Sequence, residues 1–428
     1  MNFVYSHIIS PRLCGVLGLG TLRGGSGRFV PLLLGVLALG FLARTGFPAS
    51  ALFVPDSDST VLEQLPLRSA DEGTRKLREL RRVHQADPRQ LASALTLGQA
   101  LLERASMEAD PRYLGQAESV LSPWWDNPAA PASVWILRGG IEQHRHEFDA
   151  AIQSLKRAVH SDPRNAQGWL TLASIYTVRG QFTEARSAGL HLVSLTDDLT
   201  VICAMAGVTS MIGSAESALT SIEGVLTRYS HGSDPSLLAR RVWGETLAGE
   251  IAERLGRNSL AETHFRNALN LHPADPYVLG DLADFLLQQG RQREAARLLD
   301  GFDRFDALRQ RRAEALIPVE GRDSKVIQTA IETLSDRFKA LALRGERVHM
   351  REESRFRLRL LEDKQGAQLL AVENWKVQRE AADVRLLLET SMLAGNREGV
   401  LTATEWIKTN QTEDAVFQKL AMTAIASR

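Results

Sequence analysis

The chain has 428 residues, 44% hydrophobic and 24% charged, with Lys+Arg and Asp+Glu equal at 51 each. This is the composition of an ordinary folded protein, long enough for two or three domains or one extended array. Zero net charge excludes the global basic footprint of a nucleic-acid binder, and two cysteines, Cys14 and Cys203, exclude a disulfide framework or a cysteine-rich zinc site.

The charge is unevenly placed. Residues 1–55 hold Arg12, Arg23, Arg28 and Arg44 and no acid, so they carry +4 and the remainder −4. Phe29 to Ala43 is a mostly apolar run of 15 residues. A membrane-spanning helix needs roughly 20, whereas the core of an export signal is shorter. Ala49-Ser50-Ala51 supplies small residues of the kind found at cleavage sites, yet the apolar tail Thr45 to Val54 also lengthens the run into a retained anchor. Residues 1–54 are therefore expected to be a signal peptide or membrane anchor. Basic residues ahead of the run place the bulk of the chain across the membrane, in the periplasm or at the cell membrane. Residues 55–90 read as a polar linker and an entry helix, Arg75 to Gln85, with Leu77, Leu80 and Val83 on one face.

Ala94, Leu97, Gly98 and Leu101 fit the first helix of a hairpin. Its second helix, Tyr113 to Leu121, follows a long loop around Asp110-Pro111, and Trp124 and Trp125 are expected at a Pro-flanked corner. From Pro131 to Asp198 two blocks match at an offset of 34 residues: Trp135 with Trp169, Gly139 with Ala173, Phe148 with Phe182, Ala151 with Ala185 and Ala158 with Leu192. A fixed period of this length, alternating small and large apolar positions, marks a helix–turn–helix repeat. The small residues let two helix backbones approach, and the large ones fill the space beside them. One such unit cannot bury its apolar faces alone, so the units must stack into a solenoid.

The two blocks resemble the tetratricopeptide repeat family, whose pattern is W-x2-L-G-x2-Y, then A-x3-F and P. The first block keeps Trp135, Gly139, Ala151 and Pro163, with Arg138, Glu142 and Leu155 at other pattern positions. The second keeps Trp169, Leu172, Tyr176 and Ala185, with Ala173, Gly189 and Asp197 at the others. The resemblance implies an all-α, right-handed solenoid of tetratricopeptide-like repeats with a degenerate helical C-terminal region.

After Asp198 the period continues through Ala206, Gly213, Ala218 and Val225, and is then broken by an insertion of about nine residues, Ser230 to Leu238, expected to form a surface loop. It returns with Gly249, Gly256, Ala261, Phe265 and Ala268, then with Leu279, Leu282, Ala283, Gly290 and Ala295. Residues 91–300 are thus expected to form five or six repeats. In 301–428 the period fades, but helices are expected over 326–343, 348–361, 369–375, 381–393, 399–408 and 416–427. This tail resembles that of bacterial repeat proteins with an N-terminal membrane segment.

No constellation for chemistry emerges. His144 and His146 are two apart, which on a helix points them roughly 200° from one another. His349, Glu352 and Glu353 lack a second histidine, and no lysine with Ser or Thr follows the glycines between Gly18 and Gly27. Cys203 lies in an apolar run, where an inert buried thiol is the default. Arg347, Arg351, Arg355 and Arg359 form a basic stripe, read as a solvated face. No catalytic, cofactor-binding or metal residue is expected, nor a nucleic-acid or small-molecule ligand.

The family resemblance implies a concave groove lined by the first helix of each repeat. Its positions here include Ser133, Gln143, Gln167, Ser174 and Thr177, then Trp243, Glu250, Glu253, Tyr277 and Asp284. The first set is neutral. The second pairs acids with aromatics and would suit an Arg-bearing segment, while Trp243 and Tyr277 equally fit packing between repeats. The expected function is a non-enzymatic scaffold, exported or membrane-tethered, holding an extended or helical segment of a protein partner. The alternative is an accessory subunit of an envelope enzyme complex whose C-terminal helices do work of their own.

Overall fold

A computed structural model describes Ser57 and residues 72–108, 110–232, 234–346 and 348–426. The expected signal or anchor at 1–54, most of the linker, and Arg347 lie outside the described residues. Among the described residues there is no strand, and no helix is long and apolar enough to cross a membrane.

Twenty α-helices follow one another: α1 (Glu72–Ala86), α2 (Leu91–Glu108), α3 (Arg112–Trp125), α4 (Ala132–His144), α5 (Phe148–Ser161), α6 (Ala166–Val178), α7 (Phe182–His191), α8 (Asp198–Thr209), α9 (Ala215–Arg228) and α10 (Pro235–Arg254). Then come α11 (Asn258–Leu271), α12 (Pro276–Gln288), α13 (Gln292–Leu298), α14 (Asp306–Glu320), α15 (Lys325–Leu343), α16 (Met350–Arg359), α17 (Lys364–Val377), α18 (Ala381–Ala394), α19 (Arg397–Asn410) and α20 (Ala415–Ala426). The helices α2 to α19 pair into successive hairpins that stack as a solenoid, with α1 at the entry and α20 closing the other end.

Local chemistry sets where each hairpin starts and turns. The first helix of a pair tends to begin on an Asn or Asp whose side chain accepts from the first turn: Asn165 from the Gly168 amide, Asp197 from Thr200, Asp234 from Ser236, and Asp275 from Tyr277. The turn between the two helices needs a residue with positive φ. His146, Gly180, Gly213, Gly256 and Gly290 take it in five successive hairpins, at φ of 58°, 70°, 77°, 74° and 70°. Their numbers are 34, 33, 43 and 34 apart, so the repeat length survives everywhere except at the insertion.

Inside each hairpin the two helices meet where a side chain is missing. A Cβ on Gly139 would lie 2.7 Å from Leu155 Cγ, and one on Gly249 would lie 2.7 Å from the Phe265 ring. A main apolar core runs from Phe148 to Ile327, joined by a smaller one from Leu77 to Ile141 and a separate one, Ala371 to Phe417, within α17 to α20.

The structure departs from the expected elements in several places. Trp124 and Trp125 form the last turn of α3, which tolerates Pro123, rather than a corner. Between α2 and α3 only three residues intervene, because α2 itself is 18 residues long. The insertion is not all loop: Asp234 caps a helix with Pro235 at its first position, which lengthens α10 to 20 residues. The helix α14 is unannounced by spacing, since Arg309 to Arg312 break its apolar period and Pro318 sits near its end. On α1, Leu77 is buried, but Val83 is 42% exposed.

Two expectations follow. Gly249→Ala should destabilise the fold by about 1–3 kcal/mol, because the ring it strikes is fully buried and cannot withdraw; a urea midpoint equal to wild type would refute this. Cys203 is fully buried, and burial first, then the Asp197 carboxylate, push its thiol up. In a Cys14→Ser protein, a thiol reagent should label nothing until the chain unfolds.

Candidate binding groove

The residues expected in a groove lie on the first helices of the hairpins. On α4 and α6 they are neutral. Gln143, Gln167, Ser174 and Thr177 are all buried, and Ser174 is only 2% exposed. Thr177 satisfies its hydroxyl on the Ala173 carbonyl at 2.8 Å, and Gln167 donates through Nε2 to Thr171 Oγ1 at 3.1 Å. Gln143 Oε1, Gln167 Oε1 and Ser174 Oγ have no hydrogen-bond partner among the described residues.

On α10 and α12 the face is acidic and aromatic. Trp243 is 1% exposed and belongs to the main core, with Nε1 unpartnered among the described residues. Its body therefore packs between hairpins while its one polar atom is left over. Tyr277 is half-buried, and its hydroxyl donates to the Ser106 carbonyl at 3.5 Å, reaching across to α2. Glu253 accepts from Arg385 Nη1 of α18 at 2.9 Å. Asp284 accepts from Arg311 of α14 at 2.7 and 3.0 Å and from Arg355 of α16 at 2.7 Å.

The arginine stripe of α16 is therefore no solvated face. Arg351 is buried between Glu380, at 2.6 Å, and Asp383, while Arg355 also reaches Glu314 at 2.8 Å and Arg359 reaches Glu389 at 2.6 Å. The acids lie on other hairpins, so nothing within the stripe reveals them. Of the group around His349, Glu353 pairs with Arg357 at 2.8 Å and His349 is half-exposed, 4.0 Å from Glu352.

Two acids lack such partners. Among the described residues Glu250 makes no hydrogen bond or ion pair, and Asp281 is 6% exposed with Oδ2 unpartnered. Burial first, and then Asp281, push the Glu250 carboxyl well above the usual range; burial and then Asp284 do the same to Asp281. Nearby Arg254 opposes the shift at Glu250, but its hydrogen bonds go to the Ser210 carbonyl and hydroxyl, both at 2.8 Å. Asp284 goes the other way. Burial would raise it, but Arg311 and Arg355 together hold it below its ordinary value. Asp281 escaped the sequence reading; its only signal there is a second acid, Asp284, three residues on in an otherwise apolar stretch.

The family model described as tetratricopeptide repeat matches residues 143–197 and 246–308. No curated protein matches the sequence. Among solved structures, the chain is similar to a tetratricopeptide repeat protein from Parabacteroides merdae, at 15% identity and TM-score 0.38, covering 58% of this chain and 97% of that one. It is also similar to a human IFIT1 dimer with PPP-AAAA, at 14% and 0.45, covering 79% and 77%. A third is yeast Tom70, at 12% and 0.36, covering 83% and 84%. Likenesses this distant carry no argument about function.

The shifted carboxyls make a pH prediction. Glu250 and Asp281 keep protons in the folded chain that the unfolded chain releases above about pH 4. Their contribution to stability therefore falls as pH rises from there through their raised values. Asp284 acts oppositely, stabilising above the ordinary range and losing its contribution as pH falls through its lowered value. Glu250→Gln and Asp281→Asn should each raise the melting temperature near neutral pH and leave it little changed near pH ~4. A difference that is flat across pH would refute this.

Proposed function

We propose that this chain, a solenoid of tetratricopeptide-like repeats, is a non-enzymatic scaffold that holds a segment of a protein partner in a concave groove. The repeat fold supports a protein-interaction role. One observation carries the finer reading: the inward face of α4 and α6 presents Gln143 Oε1, Gln167 Oε1 and Ser174 Oγ, shut off from water and without partners among the described residues. Buried acceptors left unmade cost about 1–3 kcal/mol each. An extended peptide relieves that cost once the Gln143 and Gln167 amides rotate outward to meet it, because its backbone N–H groups donate at regular intervals and ask for no charge in return. The neutral half of the groove thus fits main chain rather than a charged terminus.

Export or membrane tethering rests on the sequence alone, on the basic residues followed by the apolar run Phe29 to Ala43. In this reading the scaffold works outside the cytoplasm, among proteins of the cell envelope.

Two measurements test these statements. A random peptide library displayed on phage and panned on the full chain should yield binders, and Gln143→Ala with Gln167→Ala together should weaken them about tenfold or more, at ~0.5–1.5 kcal/mol per lost hydrogen bond. Binders indifferent to both changes, or none at all, would overturn the groove reading. Fractionation with N-terminal sequencing, after expression in a bacterial host, addresses location. A mature chain beginning near Leu52, or a full-length chain in the membrane pellet, supports export or tethering; intact chain in the cytosol refutes both.

A further inference from the structure

The acidic half of the groove already has an occupant, and it belongs to this chain. Glu253 on α10 receives Arg385 from α18, 132 residues further on. The contact does not stand alone. The backbone N–H of Arg379, just before α18, donates to the Val178 carbonyl at 2.7 Å. Thr412 donates to the Met211 carbonyl at 2.7 Å, and Glu413 accepts from the Ala215 amide at 2.8 Å. These contacts fall at the inner turns of three successive hairpins, α6/α7, α8/α9 and α10/α11, so the C-terminal block lies across them in register.

The joint is mostly polar. The helices α17 to α20 bury their own core, including Ala371, Val384, Leu387, Leu388, Ala403 and Phe417. They reach the main core through the partly buried Val377, Ala381 and Trp406, the last of these tilted against Phe182 at 6.0 Å. A block that stays packed on α16 and keeps its own core loses few apolar contacts when it lifts from the turns of α6 to α11, and water replaces the polar contacts it gives up there. Arg385 is built for such a release: its Nε stays on Asp414, 2.8 Å away within the same block, while only the Glu253 contact breaks. The face then uncovered holds Glu250, Glu253 and Asp281; among the described residues Glu250 makes no hydrogen bond or ion pair and Asp281 leaves Oδ2 unpartnered even when it is covered.

We propose that α17 to α20 form a detachable closure that seats Arg385 on the acidic half of the groove, so that a partner enters there only by supplying arginines of its own. This rests on the scaffold reading above and specifies its regulation: neutral main chain binds at α4 and α6 without competition, whereas an arginine-bearing segment competes with the closure at α10 and α12. Charge complementarity selects that class of competitor, since an acidic or neutral segment leaves Glu253 unpaired.

Hydrogen exchange on the full-length protein tests the closure without any natural partner. Glu253→Gln should speed exchange of α18 to α20 amides about tenfold or more, and leave α4 to α7 unchanged. Thr412→Val, at a different contact, should produce the same pattern. Unchanged α18 to α20 in both variants, or a uniform loss of protection along the chain, would overturn the proposal. Nona-arginine added to wild type should likewise speed α18 to α20 while slowing α10 and α12, and nona-glutamate should not. No effect of nona-arginine, or equal effects of both peptides, overturns the competition. The library selection above judges the neutral half separately, so failure of one reading leaves the other standing.

Discussion

Two helices that touch backbone to backbone leave no room for a side chain between them, and that crowding organises the whole solenoid. Gly139 meets Leu155 and Gly249 meets Phe265 at distances no Cβ would survive. Each hairpin becomes a thin slab, with little interior and apolar residues on both broad faces. Such a slab is stable only between neighbours. The array must therefore be long, and its ends need covering: α1 lays Leu77 against the first hairpin, and α20 contributes Phe417 to the last core. The inner edge of the slabs is left over from packing. It carries buried polar groups, among them Gln167, Ser174, Glu253 and Asp281.

On that edge electrostatics replaces packing as the constraint. Acids on α10 and α12 face arginines on α14, α16 and α18, and the pairs are largely buried. Taking ions out of water is costly, and a pair with good geometry roughly recovers that cost rather than profiting from it. The value of these pairs lies in selection. Arg355 joins Asp284 to Glu314 and Arg385 joins Glu253 to Asp414, so each arginine ties together carboxylates from different hairpins. A hairpin seated one position out of place would strand a buried charge.

The limits of the sequence follow the same division. Contacts between adjacent helices leave a period, which is why Trp135 and Trp169, Ala151 and Ala185, and Ala261 and Ala295 can be found by offset alone. Contacts across the solenoid leave none. Arg351, Arg355 and Arg359 look solvated because Asp383, Asp284 and Glu389 lie tens of residues away with no spacing to mark them. Trp243 sits at a groove position yet is claimed by the core, a conflict that only three dimensions settle. The insertion before α10 read as loop because it interrupts the period, whereas after Asp234 Pro235 starts a helix.

The first residue of α9 has its amide capped by Glu413, 198 residues later in the chain. A ribosome adding about 5–20 residues per second needs roughly 10–40 s to span that gap. The hairpins up to α13 are complete long before, and α17 to α20 later add only the partly buried Val377, Ala381 and Trp406 to their core. During synthesis, then, the nascent solenoid exists in an open form, with Glu253 facing water and the amide of Ala215 uncapped. Closure must wait until residue 413 has been made, so the inner face of the earlier hairpins forms before the segment that covers it.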